Sequence, residues 1–274
     1  FLPSLNLKYN LNDKNSFRLG ASKTYTLPQA KEISPYRYVG VNFNSQGNPN
    51  LKPSDNYNLD LKWDFNPTPT ELISLTAFYK LIKNPISRIE VASAGGYLSY
   101  ENIADKATVA GVEVEIRKNL FVRPVSNAAH GMNKLSLGLN GSYIYTNAKM
   151  PLATVTTGSQ LEGAAPWIVN FDLSHNFTKG ERSFVNTLVL NYVSDKIYTI
   201  GTQGYQDIME QGVLTLDFVS QAKLNKHLSL NLKARNLLNP SYKLSRKANE
   251  NGEKVILNDY KKGINISLGV SCTF

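Results

Sequence analysis

Apolar and polar residues alternate with a period of two along eleven stretches of this chain. The last stretch is the clearest, because Ile264, Ile266, Leu268 and Val270 alternate with polar residues or glycine. Successive side chains of a β-strand point to opposite faces, so each stretch predicts a strand with one apolar and one polar face. The connections between the stretches are short and long in turn. This predicts an antiparallel sheet with all of its long loops on one side.

Charged residues fall on only one face of the predicted strands. The apolar set contains no Asp, Glu, Lys or Arg in the middle of any stretch, whereas the polar set contains twelve: Lys8, Arg18, Asp60, Lys62, Asp64, Glu113, Glu115, Arg117, Asp172, Asp217, Lys233 and Arg235. An Arg or Lys that faces lipid at mid-bilayer costs about 2–4 kcal/mol, so membrane strands must exclude it. A soluble β-sandwich would also alternate, with its apolar face turned inward. Strands of about ten residues favour the membrane alternative.

The number of strands indicates that the sheet is part of a larger barrel. Bacterial single-chain barrels have an even number of strands, and an open sheet of eleven would leave two unpaired edges in hydrocarbon. We therefore predict an all-β chain with one domain, residues 1–274, which forms the C-terminal part of an antiparallel transmembrane β-barrel. A barrel of about 22 strands, the size typical of plugged outer-membrane transporters, would contain it as one half.

Composition limits the partners that this chain can have. The net charge is +9 and the pI is near 9.4, but the Lys and Arg residues are scattered singly among acidic ones, which argues against nucleic acid. Scattered positive charge suits an anionic surface, such as the phosphates of lipopolysaccharide, or an anionic ligand. The mean hydropathy is −0.28, and no apolar run approaches the roughly 20 residues that a membrane helix requires.

The sequence contains none of the residue arrangements that indicate catalysis or metal binding. Cys272 is the only cysteine, and His130, His175 and His227 are far apart. No H-E-x-x-H pair and no phosphate-binding G-x-x-x-x-G-K segment occurs. We therefore expect no enzyme activity, no metal site and no cofactor.

Five motifs, followed by a C-terminal Phe, occur in an order that is specific to one family. They are Gly47-Asn48-Pro49-Asn50-Leu51-Lys52-Pro53, Phe78-Tyr79, Asn84-Pro85-Ile86, Gly111-Val112-Glu113-Val114-Glu115, and Asn236-Leu237-Leu238-Asn239 with Tyr242, and the final residue is Phe274. With these residues the chain resembles the TonB-dependent outer-membrane receptors over essentially its whole length. It differs at Ser54, where Glu is common, and at Leu238, where Phe is common. No plug domain and no TonB-contacting box lie in these residues.

The motifs also have structural interpretations. The Asn48-Pro49 and Lys52-Pro53 pairs favour extended and turn backbone, which would end a loop and lead into a strand. Glu113 and Glu115 would line the wall that faces the plug, as hydrogen-bonded and paired charges. By resemblance, Phe274 is the recognition signal of the barrel-assembly machinery.

The resemblance implies active uptake of a scarce small-molecule ligand, siderophore-like or similar. Implied partners are the outer membrane, the plug domain and N-terminal barrel half of the same protein, and the TonB energy-coupling complex. Aromatic residues beside a cation in the first long loop suit an aromatic or anionic ligand, which predicts ligand contacts at Tyr36, Arg37, Tyr38 and Phe43. The same residues would also suit loop packing or contact with lipopolysaccharide. A passive porin or structural barrel and a barrel enzyme are the alternative functions.

Overall fold

The structure is a computed structural model in which strands predominate. It describes residues 1–91, 93, 96–125, 131–150, 160–202, 204–248 and 252–273. Within these ranges the one helix, α1 (Ala30–Ile33), is a single turn, and no helix is long and apolar enough to cross a membrane. In chain order the strands are β1 (Ser4–Asn10), β2 (Asn15–Thr26), β3 (Arg37–Val39), β4 (Asn44–Gln46), β5 (Ser54–Phe65), β6 (Leu72–Lys83), β7 (Ile86–Val91), β8 (Tyr97–Asn102), β9 (Lys106–Pro124), β10 (Met132–Ala148), β11 (Trp167–Lys179), β12 (Arg182–Val193), β13 (Lys196–Thr199), β14 (Ile208–Glu210), β15 (Val213–Lys223), β16 (Leu228–Arg235), β17 (Ser241–Lys247), β18 (Lys254–Lys261) and β19 (Asn265–Cys272).

Eleven of these strands form one antiparallel sheet, as the alternation predicted. The strand order is β1-β2-β5-β6-β9-β10-β11-β12-β15-β16-β19, so each strand pairs with the next sheet strand along the chain. Short connections join the strands at one end of the sheet. Five long connections lie at the other end: loop 1 (27–53), loop 2 (84–105), loop 3 (149–166), loop 4 (194–212) and loop 5 (236–264).

Apolar side chains on one face of this sheet are exposed. Leu59 and Leu61 of β5 are 49% and 53% exposed, and Leu268 of β19 is 71% exposed. The same face continues across the strands, since Leu59 lies opposite both Ala21 and Tyr79. A β-sandwich would enclose these side chains between two layers, so that alternative is wrong. The exposed apolar face is the lipid-facing surface of an outer-membrane barrel.

The opposite face carries the charged and polar residues. Asp64, which is only 6% exposed, lies 3.5 Å from Arg18 Nη2 and 3.5 Å from Lys62 Nζ. These three residues come from the neighbouring strands β2 and β5 and all lie on the polar face. Their pairing keeps the charges away from lipid, as the sequence pattern requires.

Both edges of the sheet are open. Among the described residues β1 pairs only with β2, and β19 pairs only with β16. Every residue of both edge strands is exposed. Unpaired backbone N–H and C=O groups each cost several kcal/mol in hydrocarbon. The sheet is therefore part of a barrel, and further strands must cover both edges in the membrane.

The long loops contain two additional four-stranded sheets that the alternation did not predict. One has the order β3-β4-β8-β7 and the other has the order β13-β14-β17-β18. These strands are only three to eight residues long. Period-two alternation cannot be recognised over so few residues, which is why the sequence indicated only long connections there.

A buried apolar core lies among the long loops instead of inside the sheet. We call loops 1 to 5 together the loop cap. The core joins loops 2, 3 and 4 to the adjoining ends of β9 and β10 through Ile89, Ile103, Ala104, Ala107, Ala148, Leu161, Ile197 and Ile200. Each fully buried Ile contributes about 1.5–3 kcal/mol, so this core can hold the loops in one arrangement.

Candidate ligand-binding site in the loop cap

Loop 2 contacts each of the other four long loops. Leu98 of β8 pairs in parallel with β4, the Arg88 side chain binds loop 3, and Glu90 binds loop 5. The backbones of Arg88 and Glu90 also form hydrogen bonds with loop 4. The contacted residues are Ser45 of loop 1, Glu162 of loop 3, Ile200 of loop 4 and Arg246 of loop 5. Loop 2 is therefore the centre of the loop cap.

The guanidinium of Arg88 lies between a carboxylate and an aromatic ring. Its Nη2 and Nε atoms donate to Glu162 Oε1 at 2.8 and 3.2 Å, and the Arg88 backbone N–H donates to Glu162 Oε2 at 2.5 Å. The guanidinium carbon lies 4.2 Å from the centre of the Tyr198 ring, within cation–π range. Burial lowers the pKa of Arg88, but the charge and hydrogen bonds of Glu162 outweigh burial and raise it overall. Arg88 therefore stays charged and holds loops 2, 3 and 4 together.

A second arginine in the loop cap has the same kind of surroundings. Arg246 of loop 5 forms an ion pair with Glu90, and the two side chains are only 17% and 15% exposed. The Arg246 guanidinium carbon lies 5.3 Å from the centre of the Tyr205 ring of loop 4. Arg246 Nε is buried and has no hydrogen-bond partner among the described residues. A buried donor without a partner costs about 1–3 kcal/mol, which an oxygen of a ligand or of water would recover.

Two of the four predicted contact residues lie against aromatic rings of other loops. The Arg37 guanidinium carbon lies 5.4 Å from the centre of the Tyr97 ring, so loop 1 faces loop 2 there. The ring centres of Phe43 and Tyr198 are 6.2 Å apart. Phe43 thus lies next to the ring that contacts Arg88, whereas Arg37 lies against the ring of Tyr97 in β8.

The other two predicted contact residues are exposed. Tyr36 is 75% exposed and Tyr38 is 46% exposed. Lys31 Nζ lies 5.6 Å from the centre of the Tyr38 ring, the one ring contact that either tyrosine makes among the described residues. Tyr36 and Tyr38 therefore form a separate, outer group.

A cleft of about 290 Å³ lies between loops 1 and 2. Its described lining is residues 40–44, Glu90 and residues 96–98, which include two aromatic residues, Phe43 and Tyr97. In the same strand as Tyr97, burial raises the pKa of the Tyr100 hydroxyl, and the charge of Arg88 has a smaller, opposite effect on this pKa. The cleft thus offers a ligand mainly polar surface together with two aromatic residues.

The motif that begins at Asn48 attaches loop 1 to loop 2. Asn48 Nδ2 donates to the Tyr100 carbonyl at 3.0 Å, and Asn48 Oδ1 accepts from the Asn50 N–H at 2.9 Å. The Asn102 side chain accepts from the Lys52 N–H at 2.8 Å and donates to the Lys52 carbonyl at 2.9 Å. The same segment contains Pro49, Leu51 and Pro53. These contacts lie just above the start of β5.

Two further motifs meet on the polar face of the sheet. Gly111 of β9 lies directly opposite Phe78 of β6. A Cβ atom at Gly111 would lie 2.4 Å from Phe78 Cζ and 2.4 Å from the Tyr143 carbonyl oxygen. Only glycine leaves room for the Phe78 ring there, which explains the glycine of the Gly-x-Glu-x-Glu motif.

The two glutamates of that motif belong to a polar wall. Glu113 Oε1 accepts from Asn140 Nδ2 at 2.7 Å, and Asn140 Oδ1 accepts from Asn170 Nδ2 at 3.3 Å. Glu115 Oε1 lies 2.7 Å from Arg117 Nη2. Both glutamates thus have partners within the sheet.

The motif at Asn236 closes the base of loop 5. Asn236 Nδ2 donates to the Gly263 carbonyl at 2.7 Å, and Asn239 Oδ1 accepts from the Gly263 N–H at 3.0 Å. Both asparagines have positive φ, of 57° and 43°, which few other residues tolerate. The Tyr242 ring stacks on Tyr260 with ring centres 5.5 Å apart. Phe274 and His130 lie outside the described residues.

The sequence did not indicate the residues that organise the loop cap: Arg88, Glu90, Glu162, Tyr198, Tyr205 and Arg246. They come from four different loops, and no spacing along the chain connects them. Their neighbours in sequence differ from loop to loop, so only the folded arrangement brings them together. In the part of the chain that the structure describes, no group of three or more His, Cys, Asp or Glu residues could hold a metal ion.

Comparison with known proteins identifies the family. Residues 1–237 match the family described as TonB dependent receptor-like, beta-barrel. The chain belongs to this family. It is 25% identical over 227 residues to the iron-regulated outer membrane virulence protein of Vibrio cholerae serotype O1. The aligned segment covers 79% of this chain and 32% of the relative. The chain thus spans about a third of the length of this curated relative.

Solved structures of family members have the same fold. The ferric yersiniabactin uptake receptor FyuA of Yersinia pestis superposes with a TM-score of 0.63 at 16% identity, over 100% of this chain and 37% of that protein. The siderophore receptor PirA of Acinetobacter baumannii superposes with a TM-score of 0.62 at 17% identity, over 100% of this chain and 41% of that protein. The copper transporter OprC superposes with a TM-score of 0.65 at 14% identity, over 99% of this chain and 39% of that protein. At these identities the likeness establishes the barrel fold only.

Proposed function

We propose that this chain is the C-terminal part of the barrel of an outer-membrane receptor that takes up a scarce ligand with energy from the TonB complex. The observation that carries the proposal is a family barrel whose loop cap contains a cleft lined by Phe43, Tyr97 and Glu90, with the Arg37 guanidinium against the Tyr97 ring. The plug domain and the N-terminal barrel half would come from the same protein, and the loop cap would face the outside of the cell. The barrel-assembly machinery would insert the completed barrel.

The chemistry of the loop cap favours an anionic or aromatic ligand, such as a ferric siderophore. Arg37, Phe43 and Tyr97 would form the contact surface, with Tyr36 and Tyr38 at its outer margin. The buried Nε of Arg246 would donate to a ligand oxygen if the ligand enters between loops 2 and 5. Relatives named for ferric siderophores and for iron regulation support this class, and the copper transporter among them widens it to other chelated metals.

The test is uptake by cells that express the full-length receptor in a strain lacking it. Radiolabelled iron would be supplied as a panel of ferric siderophores, with and without a protonophore. We expect uptake of at least one chelate, lost with the protonophore. The double variant Arg37→Ala, Tyr97→Ala should reduce uptake about tenfold, since each removed contact weakens binding by a fraction of a kcal/mol to about 1 kcal/mol.

The matched control is Lys14→Ala, which removes an exposed cation at the opposite end of the sheet. Uptake by this variant should equal that of the unchanged receptor. Uptake that continues without energy would instead identify a passive porin, and no uptake of any chelate would reject the siderophore class.

A further inference from the structure

Three lysines lie side by side on the lipid-facing side of the sheet, at the end where the long loops begin. Lys83 of β6 is directly opposite Lys106 of β9. Lys149 follows β10 immediately after Ala148, which is opposite Ala107 of β9. All three lysines are exposed. We call Lys83, Lys106 and Lys149 the lysine row.

The residues next to the lysine row fix the direction in which it points. Ala107 and Ala148 are 1% and 3% exposed and belong to the core of the loop cap, and Ile82 and Met150 pack against that core. Because neighbouring residues of a strand point to opposite faces, Lys83 and Lys106 point to the other side, and Lys149, which follows the last residue of β10, is exposed beside the buried Ala148. That side is the one on which Leu81 and Tyr79 continue the apolar face down β6.

The lysine row lacks acidic partners. None of its members forms a salt bridge within the described ranges. Asp55 lies opposite Lys83 but is bound by Lys23 at 3.1 Å. The Lys83 ammonium lies 5.4 Å from the centre of the Tyr57 ring, and Lys23 lies 5.5 Å from the same ring. Lys23 and Lys83 thus lie around one ring, and the nearby carboxylate of Asp55 is paired with Lys23.

Like charges directly opposite each other destabilise a pair of strands. Adjacent strands are about 4.8 Å apart, so the backbones of the three lysines span about 10 Å, close to the distance over which salt screens charge. An anion bound across the row would remove this repulsion and accept hydrogen bonds from several ammonium groups.

We propose that the lysine row binds a phosphate group of a lipid in the outer leaflet, namely the phosphorylated glycolipid headgroup of lipopolysaccharide. The row lies at the outer margin of the apolar face, where a headgroup lies while its acyl chains contact Leu81 and Tyr79. It faces away from the lumen and from the cleft between loops 1 and 2, so a transported ligand would not reach it. The inference rests on the outer-membrane position of the barrel but not on uptake of any ligand.

The experiment measures binding of lipopolysaccharide to the purified full-length receptor in detergent. The probes are lipopolysaccharide with its phosphates, the same glycolipid after removal of the phosphates, and inorganic phosphate. The triple variant Lys83→Gln, Lys106→Gln, Lys149→Gln should bind the phosphorylated glycolipid about tenfold more weakly. It loses three exposed charge pairs with the lipid phosphate, each of which contributes only modestly. The unchanged receptor should bind the phosphate-free glycolipid as weakly as the variant does, and inorganic phosphate should bind to neither.

The control variant carries Lys14→Gln, Lys179→Gln and Lys223→Gln, three exposed lysines at the end of the sheet with the short turns. It has the same change in net charge and should bind like the unchanged receptor. Equal loss in both variants would mean that total charge and not the row determines binding, and would overturn the proposal. Unchanged binding by the row variant would also overturn it, as would binding of inorganic phosphate as tight as that of the lipid. Heat-modified migration on a gel checks that each variant forms the barrel.

Discussion

The transmembrane sheet and the loop cap use apolar residues in opposite ways. In the sheet, side chains such as Leu61 and Leu268 remain exposed, because hydrocarbon is their solvent. In the loop cap, Ile89, Ile103 and Ile200 are at most 4% exposed, because water surrounds the loops and must be excluded. The sheet is therefore ordered by its backbone ladder and its position in lipid, whereas the cap is ordered by a core and by buried ion pairs.

The largest expected effect is that of a charge on the lipid-facing side of the sheet. Ala77→Arg places a cation in the middle of the apolar face of β6, next to Leu61, and should destabilise the barrel by about 2–4 kcal/mol. Alanine loses little other packing, so the cost is that of the charge. The measurement is the urea midpoint of the full-length receptor in lipid vesicles.

The neighbouring substitution Thr76→Arg provides the control. Thr76 lies on the polar face, opposite Lys62 and Glu113. A cation there can interact with Glu113 and should change the stability by less than about 1 kcal/mol. Equal effects at the two positions would disprove the assignment of the two faces.

The second prediction concerns close packing on the polar face. Gly111→Ala would place a Cβ 2.4 Å from the Tyr143 carbonyl, a backbone atom that cannot rotate away, and should cost about 1–3 kcal/mol by the same urea measurement. Gly141→Ala is the matched change, because no atom lies within 4 Å of its new Cβ. It should be neutral or stabilise by about 0.5–1 kcal/mol. A loss of equal size at Gly141 would contradict the packing argument.

The sheet could be predicted from sequence because every residue of a membrane strand carries local information about its face. Strand number, the side of the long loops and the lipid-facing residues all followed from alternation and from the position of charges such as Asp60 and Glu113. The Asn48-Pro49 and Lys52-Pro53 pairs were recognised as the end of a loop. The hydrogen bonds of Asn236 and Asn239 to Gly263 were not predicted, because Gly263 lies 27 residues after Asn236 and 24 residues after Asn239.

The loop cap could not be predicted, because its contacts join residues that are distant in sequence. Arg88 and Glu162 are 74 residues apart, and Glu90 and Arg246 are 156 residues apart. Neither pair has a periodic pattern that identifies it. Of the four predicted ligand contacts, Phe43 lies beside the ring that contacts Arg88 and Arg37 lies beside Tyr97, and their role in binding stays a prediction.

The third prediction tests whether ion pairs hold the cap together. Glu162→Gln removes the charge that binds Arg88 and should weaken protection of loop 3 and β7 by about 1.5–3 kcal/mol, measured by amide hydrogen exchange of the full-length receptor. Glu181→Gln is the control, since Glu181 and Lys226 are 3.8 Å apart and are 59% and 70% exposed. It should change exchange very little, because exposed pairs contribute little. Unchanged protection of loop 3 in Glu162→Gln would mean that the apolar core alone orders the cap.

The smallest expected effect is a pH-dependent one in the same loops. Burial raises the pKa of Glu101 in β8, and no cation pairs with it among the described residues. The folded cap therefore binds this proton more tightly than the unfolded chain does, so ionisation of Glu101 destabilises the cap as pH rises through the unfolded pKa, near 4.3, towards the higher folded value. Glu101→Gln removes the ionisation and should slow exchange of the β7 and β8 amides slightly at pH 7. Well below pH 4, where Glu101 is protonated in the folded and the unfolded chain alike, the difference should vanish. A benefit of the same size at both pH values would mean that the substitution acts by hydrogen bonding and not by removing a buried charge.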